Sequence, residues 1–170
     1  MPTLHVCPLS KLSETVTGVG ASHVVTLINV GAAVERPAGI DADRHLVLGM
    51  SDISGPMEGH VLPGEEHIAR FLAFARGWNR DAPLVIHCWA GISRSTAAAY
   101  IAACAFSPEA DEEEIALRLR AASPSATPNP RLVAVADAML GREGRMRAAI
   151  ARIGRGAEAF EGTPFIMPLA

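Results

Sequence analysis

A cysteine and an arginine six residues apart are the residues of this sequence with the clearest chemical potential. Cys88 follows the apolar run Leu84-Val85-Ile86, a pattern that indicates a short buried strand. Arg94 begins an alanine-rich stretch that is typical of a helix. A loop that ends at a helix N-terminus directs backbone N–H groups at anions. The spacing therefore predicts a sulfur atom at the floor of an anion-binding loop.

The residue types of this loop suit a phosphate group. Gly91 permits a turn of the backbone that a side chain would obstruct. Arg94 carries a planar fork of N–H donors, which pairs with two phosphate oxygens at once. We expect the positive field to favour the thiolate form of Cys88, which is a nucleophile aimed at phosphorus. The alternative is a buried structural cysteine and a surface arginine at a coincidental spacing.

The stretch His87-Cys88-Trp89-Ala90-Gly91-Ile92-Ser93-Arg94-Ser95 resembles the signature of the cysteine-dependent protein tyrosine phosphatases, and most closely their dual-specificity branch. The resemblance implies that the loop residues Trp89, Ala90, Gly91, Ile92, Ser93 and Arg94 bind the substrate phosphate. It also implies that Ser95 hydrogen-bonds the thiolate and helps it to leave from a phospho-cysteine intermediate. We expect His87 to orient the loop through backbone carbonyls and not to act as an acid or base.

Cleavage of a phosphate ester also requires a proton for the leaving oxygen. The resemblance implies an aspartate on a loop after a preceding strand, and Asp52 fits because it follows a predicted strand that ends near Met50. Asp41 and Asp43 precede that strand, and Asp81 precedes the strand of the cysteine, so they should lie at the opposite edge of the sheet. The alternative for Asp52 is a loop residue that caps a turn.

A second resemblance involves Arg120 and the pair Pro128-Asn129. These residues resemble the Arg … Pro-Asn segment that supports the phosphate loop in dual-specificity enzymes. The resemblance implies that Asn129 hydrogen-bonds the loop or positions the hydrolytic water, whereas an asparagine in a proline-rich turn is the alternative. Pro130 and Arg131 depart from the family, in which a Gly-aromatic pair is common at these positions.

The order of predicted elements indicates an α/β fold with a central, mostly parallel sheet of four to five strands flanked by helices, and a helical C-terminal half. The predicted strands cover residues 4–7, 22–30, 44–50 and 84–86, and the predicted helices cover residues 10–17, 65–79, 96–103, 111–122, 131–140 and 145–153. Ligands of such sheets bind at the carboxyl ends of the strands. We predict a single phosphatase domain over residues 1–155 and a C-terminal tail, residues 156–170, that wraps around the surface or frays.

Composition narrows the class of protein. The chain is 49% hydrophobic and 19% charged, as in globular domains, and its net charge of −3 gives no reason to expect a nucleic-acid partner. It has no apolar stretch of membrane-spanning length and no pattern of a signal peptide. Three sparsely spaced cysteines and a working thiolate favour a reducing compartment, so we expect a cytoplasmic location. Only one of the 15 lysine and arginine residues is a lysine, and alanine is abundant. This composition indicates that the sequence comes from a GC-rich bacterial genome.

We predict no metal site and no cofactor, because His60 and His67 lack further ligands at a suitable spacing. The predicted last helix and its flanks are basic, which indicates a solvated face or an anionic partner. The basic residues are Arg142, Arg145, Arg147, Arg152 and Arg155.

These observations predict a phosphatase that hydrolyses phosphotyrosine, and phosphoserine or phosphothreonine as well if its site is shallow, through a phospho-cysteine intermediate. Its partner would be a phosphorylated protein or a small phosphate ester. The loop carries no lysine, so a multiply charged phosphoinositide has little extra to bind. Two alternatives stay open: a phosphoprotein-binding module without catalysis, and a rhodanese-like sulfurtransferase, which the helical C-terminal half fits poorly.

Overall fold

A five-stranded, mostly parallel sheet forms the centre of the protein, with the strand order β3-β2-β4-β1-β5. The computed structural model describes residues 3–169. The strands are β1 Leu4–Pro8, β2 His23–Ile28, β3 His45–Gly49, β4 Leu84–Cys88 and β5 Phe165–Met167. Strands β1 to β4 are joined by parallel pairings, and β5 runs antiparallel to β1 at one edge. The predicted α/β fold with a mostly parallel sheet is confirmed.

Helices cover both faces of this sheet. Within residues 3–169 they are α1 Leu12–Val19, α2 Glu65–Gly77, α3 Arg94–Phe106, α4 Glu112–Ala122, α5 Pro130–Met139 and α6 Arg145–Ile153. The larger hydrophobic core includes residues from α2 to α6, and a smaller one includes Leu12 and Val16 of α1. The longest helices have 13 residues, and none between residues 3 and 169 has the length and apolar character of a membrane span.

The two elements on either side of the cysteine loop, residues 88–94, are largely buried. All five residues of β4 are buried, and β4 pairs with β1 on one side and β2 on the other. Residues Arg94 to Cys104 of α3 are also buried, because alanines allow this helix to pack closely on the sheet. The loop between β4 and α3 therefore has two rigid ends.

Residues 165–167 form strand β5 within the predicted C-terminal tail, a strand that the sequence analysis did not predict. The strand pairs Leu4 of β1 with Met167, whose side chain is only 1% exposed. The sequence did not indicate β5 because three residues are too few to show a period of two. The segment before β5 lies against the cysteine loop, where the Gly162 N–H donates to the Ala90 carbonyl at 2.7 Å.

The basic residues around α6 largely pair with acidic residues of α4. Arg142 donates to Glu112 at 2.9 Å, and both side chains are buried. Arg145 contacts the same carboxylate at 3.2 Å, and Arg152 contacts Glu113 at 2.6 Å. Much of this charge therefore joins two helices of the domain.

Candidate active site

The cysteine loop comprises residues 88–94 and lies at the carboxyl end of the central strand β4. Cys88 is the last residue of β4, and Arg94 is the first residue of α3. The Cys88 side chain is 2% exposed, and its Sγ lies 3.1 Å from the Ser95 hydroxyl. The structure thus places the cysteine and the serine that the sequence singled out in contact, and the arginine lies at the other end of the same loop.

Gly91 lets the cysteine loop pack directly on the end of β1. Its φ angle is +68°, and a Cβ atom there would lie 2.8 Å from the Pro8 nitrogen and 2.9 Å from the Cys7 carbonyl carbon. The Leu9 N–H also donates to the Trp89 carbonyl at 3.0 Å. Both the conformation and the close approach require glycine at this position.

We expect Gly91→Ala to lower the free energy of unfolding by about 1–3 kcal/mol and to reduce turnover of an aryl phosphate, because the loop must move away from β1. Gly39→Ala is the matched control, since Gly39 has a φ of +83° but no atom within 4 Å of the position that a Cβ would occupy. Urea unfolding measures the first effect and steady-state kinetics the second. Equal destabilisation of the two variants would contradict the packing explanation.

Arg94 makes its hydrogen bonds through one guanidinium nitrogen, Nη1. Its Nη1 donates to the Asn29 side-chain oxygen and to the Met50 carbonyl, both at 2.9 Å. These acceptors follow β2 and β3, so the guanidinium is anchored across the carboxyl ends of two strands. The Nε atom is buried and has no hydrogen-bond partner within residues 3–169. A buried cationic N–H without an acceptor is unfavourable, and a bound anion would supply the acceptor.

Asn29 was not predicted as a site residue. The sequence offers one signal for it, because Asn29 directly follows the apolar strand that pairs with β4, at the edge where ligands bind. The signal was missed because the predicted strand, residues 22–30, included Asn29. The observed β2 ends at Ile28, so Asn29 lies outside the strand.

Asp52 lies beside the cysteine loop. Its Oδ1 accepts a hydrogen bond from the Ser93 hydroxyl at 2.7 Å and another from the Asn129 side-chain amide at 2.8 Å. The carboxyl group is therefore tied to the loop by Ser93 while Asp52 itself remains exposed to solvent. This is a suitable place for an acid that must meet the leaving oxygen of a bound substrate.

Asn129 joins three parts of the candidate site. Its backbone N–H donates to the Ser93 carbonyl at 3.2 Å, and its side-chain amide donates to Asp52 and to the Ile53 carbonyl. Its side-chain oxygen caps α5 by accepting from the Leu132 N–H at 3.0 Å. Asn129 thus both contacts the loop, as the resemblance implied, and serves as a turn and cap residue.

Arg120 makes no hydrogen bond to the cysteine loop within the described part of the chain. Its guanidinium donates to the carbonyls of Pro124, Ala126 and Gly154 at 3.0, 2.7 and 2.7 Å. The support it gives the loop is therefore indirect, through the turn that precedes Thr127.

His87 holds the Cys88 carbonyl from a fully buried position. Its Nδ1 lies 3.0 Å from that carbonyl, which can only accept, so Nδ1 carries the proton. Its Nε2 then accepts from the Thr26 hydroxyl at 2.7 Å. Burial lowers the pKa of His87 to about 4. These contacts match the orienting role expected of His87, which is neutral near pH 7.

The free energy of unfolding should fall as the pH drops from 6.5 towards 4. In the unfolded chain the imidazole takes up a proton near its ordinary pKa of 6.5, whereas buried His87 does so only near pH 4. The stabilisation is therefore fully present above pH 6.5 and is lost between pH 6.5 and pH 4. The shift corresponds to about 3 kcal/mol. His87→Asn keeps a donor for the Cys88 carbonyl but does not titrate. Urea unfolding near neutral pH and at about pH 5 should therefore show a smaller loss for the variant; equal losses would contradict the assignment.

Trp89 belongs to the cysteine loop, whereas His67 belongs to α2. The Trp89 side chain is 52% exposed. His67 packs within the fold, since its Nε2 donates to the Gly49 carbonyl at 2.9 Å and its Nδ1 accepts from the Gly64 N–H. No group of three or more His, Cys, Asp or Glu side chains within residues 3–169 is arranged to hold a metal ion.

This arrangement of sheet, helices and cysteine loop is the fold of the dual-specificity phosphatases. The human tyrosine phosphatase-like serine/threonine/tyrosine-interacting protein has a TM-score of 0.65 at 18% identity, over 84% of this chain and 94% of its own. DUSP15 has a TM-score of 0.63 at 16% identity, over 89% of this chain and 92% of its own. PTPMT1 in complex with PI(5)P has a TM-score of 0.61 at 16% identity, over 91% of this chain and 96% of its own. No protein-family model and no curated protein matches the sequence.

Proposed function

We propose that this protein is a phosphatase that hydrolyses phosphotyrosine, and phosphoserine or phosphothreonine where they can reach the cysteine, through a phospho-cysteine intermediate. One observation carries the proposal: the Nε of buried Arg94 has no hydrogen-bond partner among residues 3–169, and Arg94 ends the same short loop that begins at Cys88. A tetrahedral anion bound in that loop would satisfy the nitrogen and present phosphorus to the sulfur.

In the first step the Cys88 thiolate attacks phosphorus. The S–P bond forms, the P–O bond to the leaving group breaks, and its electron pair goes to the leaving oxygen, which takes a proton from Asp52. Arg94 and the loop N–H groups bind the three equatorial oxygens, where negative charge is spread in the transition state. Ser93 and Asn129 hold the Asp52 carboxyl group beside the loop.

In the second step water hydrolyses the phospho-cysteine. The Asp52 carboxylate takes a proton from the water, whose oxygen attacks phosphorus while the S–P bond breaks. The sulfur leaves as a thiolate, and the Ser95 hydroxyl at 3.1 Å donates to it. The products are inorganic phosphate and the enzyme with its carboxyl group protonated again.

The substrate class follows from the charge of the loop. Residues 89–93 contain no lysine or second arginine, so a singly phosphorylated side chain is favoured over a multiply phosphorylated inositol ring. The half-exposed Trp89 offers an apolar surface to an aromatic substrate ring. A phosphorylated protein is therefore the proposed partner.

A phosphoprotein-binding module without catalysis is the second candidate, because one structural neighbour is named as an interacting, phosphatase-like protein. Hydrolysis of p-nitrophenyl phosphate in the presence of EDTA separates the two. We expect turnover that continues with the chelator and is lost in Arg94→Ala. Binding of a phosphotyrosine peptide with no turnover above the uncatalysed rate would establish the binding module instead. Sulfur transfer from thiosulfate to cyanide, without phosphate release, would establish the sulfurtransferase.

A further inference from the structure

A groove of about 950 Å³ opens beside the cysteine loop. Asp52, Ile92 and Ser93 line it, so it is continuous with the proposed catalytic site. The rest of its lining comes from the turn before α5, from α6 and from residues 154–160, and includes Pro130 and Phe160. Sites for small ligands are about 300–1,000 Å³, so this groove offers more room than a phosphorylated tyrosine ring alone requires.

The C-terminal side of the groove is fixed to the domain. The Gly156 N–H donates to the Thr127 hydroxyl at 3.1 Å, and the Ala157 N–H donates to the Pro124 carbonyl at 2.9 Å. Further along, the Gly162 N–H donates to the Ala90 carbonyl of the cysteine loop at 2.7 Å. Residues 156–162 therefore form a wall that is anchored at both ends, next to the catalytic residues.

Phe160 stands between these anchors with 97% of its side chain exposed. Removal of a large aromatic side chain from water is stabilising, and the exposed Phe160 provides almost none of that stabilisation in this fold. Nine large hydrophobic side chains are exposed within residues 3–169, and five of them lie in this wall or in loops that follow the carboxyl ends of β2, β3 and β4. The five are Val30, Met57, Val61, Trp89 and Phe160. Exposed apolar side chains are therefore common on the side of the domain where β4 ends and the cysteine loop begins, and Phe160 is the one among the five that lines the groove.

We infer that the groove binds the polypeptide that flanks the phosphorylated residue of the substrate, and that Phe160 contacts an apolar side chain of that polypeptide. The inference rests on the proposed function and names specificity residues outside the cysteine loop. Polar and charged residues also line the groove, among them Ser93, Thr127, Arg155 and Glu158. Such groups suit the alternating polar and apolar groups of a peptide, whereas burying them against acyl chains would be unfavourable.

A leucine scan of a phosphotyrosine peptide tests the inference. One leucine is placed in turn at each of the positions on either side of the phosphotyrosine in an otherwise alanine peptide, and kcat/KM is measured for each. We expect leucine at one position to raise kcat/KM of the wild-type protein about tenfold, as filling an apolar pocket does. Phe160→Ala should remove most of this preference. Leu117→Ala is the matched control, because Leu117 is 55% exposed on α4 and does not line the groove, so it should keep the preference.

The outcomes separate the inference from the proposed function. The inference is wrong if all peptides are hydrolysed with no leucine preference, or if the leucine preference persists in Phe160→Ala. Either result would leave the proposed phosphatase activity unaffected. No hydrolysis of any peptide or of p-nitrophenyl phosphate would overturn both. Phosphatidic acid in phosphatidylcholine vesicles provides the third arm. If Phe160→Ala lowers turnover of this lipid and not the leucine preference, the occupant of the groove is a lipid and the inference is wrong.

Discussion

Cys88→Ser should abolish turnover of p-nitrophenyl phosphate while the protein stays folded. A serine hydroxyl is not ionised near neutral pH, and the side chain that it would contact, Ser95, is a hydroxyl and not a general base. We expect kcat to fall by about 10⁴-fold or more, as it does when other enzymes lose their nucleophile. Steady-state kinetics measure the loss. Vanadate binding should persist, because Arg94 and the loop N–H groups remain in place.

Cys104→Ala is the control for the Cys88 variant. Cys104 lies in the buried part of α3, and burial raises the pKa of its thiol to about 12, so it remains a thiol near neutral pH. This variant should keep its turnover. Normal turnover in Cys88→Ser, or a loss in Cys104→Ala alone, would show that a different group is the nucleophile.

Asp52→Asn should lower kcat/KM by about 10²–10⁴-fold for phenyl phosphate, the range that general acid catalysis typically contributes. Asparagine keeps an oxygen that accepts from Ser93 and Asn129, so the hydrogen bonds that position the side chain can remain. The loss should be much smaller for p-nitrophenyl phosphate, whose leaving oxygen needs less protonation. Comparison of kcat/KM for the two esters is the measurement, because this constant includes cleavage of the P–O bond.

Asp81→Asn provides the matched control for the acid. Asp81 is exposed and precedes β4, at the opposite end of the strand from Cys88. It should leave the kinetics of both esters unchanged. An equal loss for both esters in Asp52→Asn would mean that Asp52 positions the loop and does not donate the proton.

The strand, loop and helix around Cys88 could be predicted because each part depends on neighbouring residues. A buried apolar run, a glycine and an alanine-rich helix are all visible in residues 84–106. Asp52 was predicted from the resemblance to the dual-specificity phosphatases, which implies an aspartate on a loop after a preceding strand. The predicted helix began at residue 96 and the observed one begins at Arg94, a difference that is ordinary for helix ends.

The residues that support the site were harder to predict because their roles come from contacts between distant segments. Asn29 holds Arg94 across 65 positions of sequence, and Thr26 meets His87 across 61. Strand β5 and the anchored wall before it depend on pairing with β1 and with the cysteine loop. Neither the spacing nor the type of these residues indicates such partners before the fold is known.

A trapped phosphoenzyme tests the nucleophile most directly. Asp52→Asn lacks the base for the second step, so p-nitrophenyl phosphate should convert it to a phosphorylated form that accumulates before hydrolysis. After a rapid denaturing quench and cleavage at arginines, mass spectrometry should find one phosphoryl group on the peptide of residues 81–94, on Cys88. A phosphoryl group on another residue, or turnover at saturating substrate with no phosphorylated protein, would contradict a phospho-cysteine mechanism.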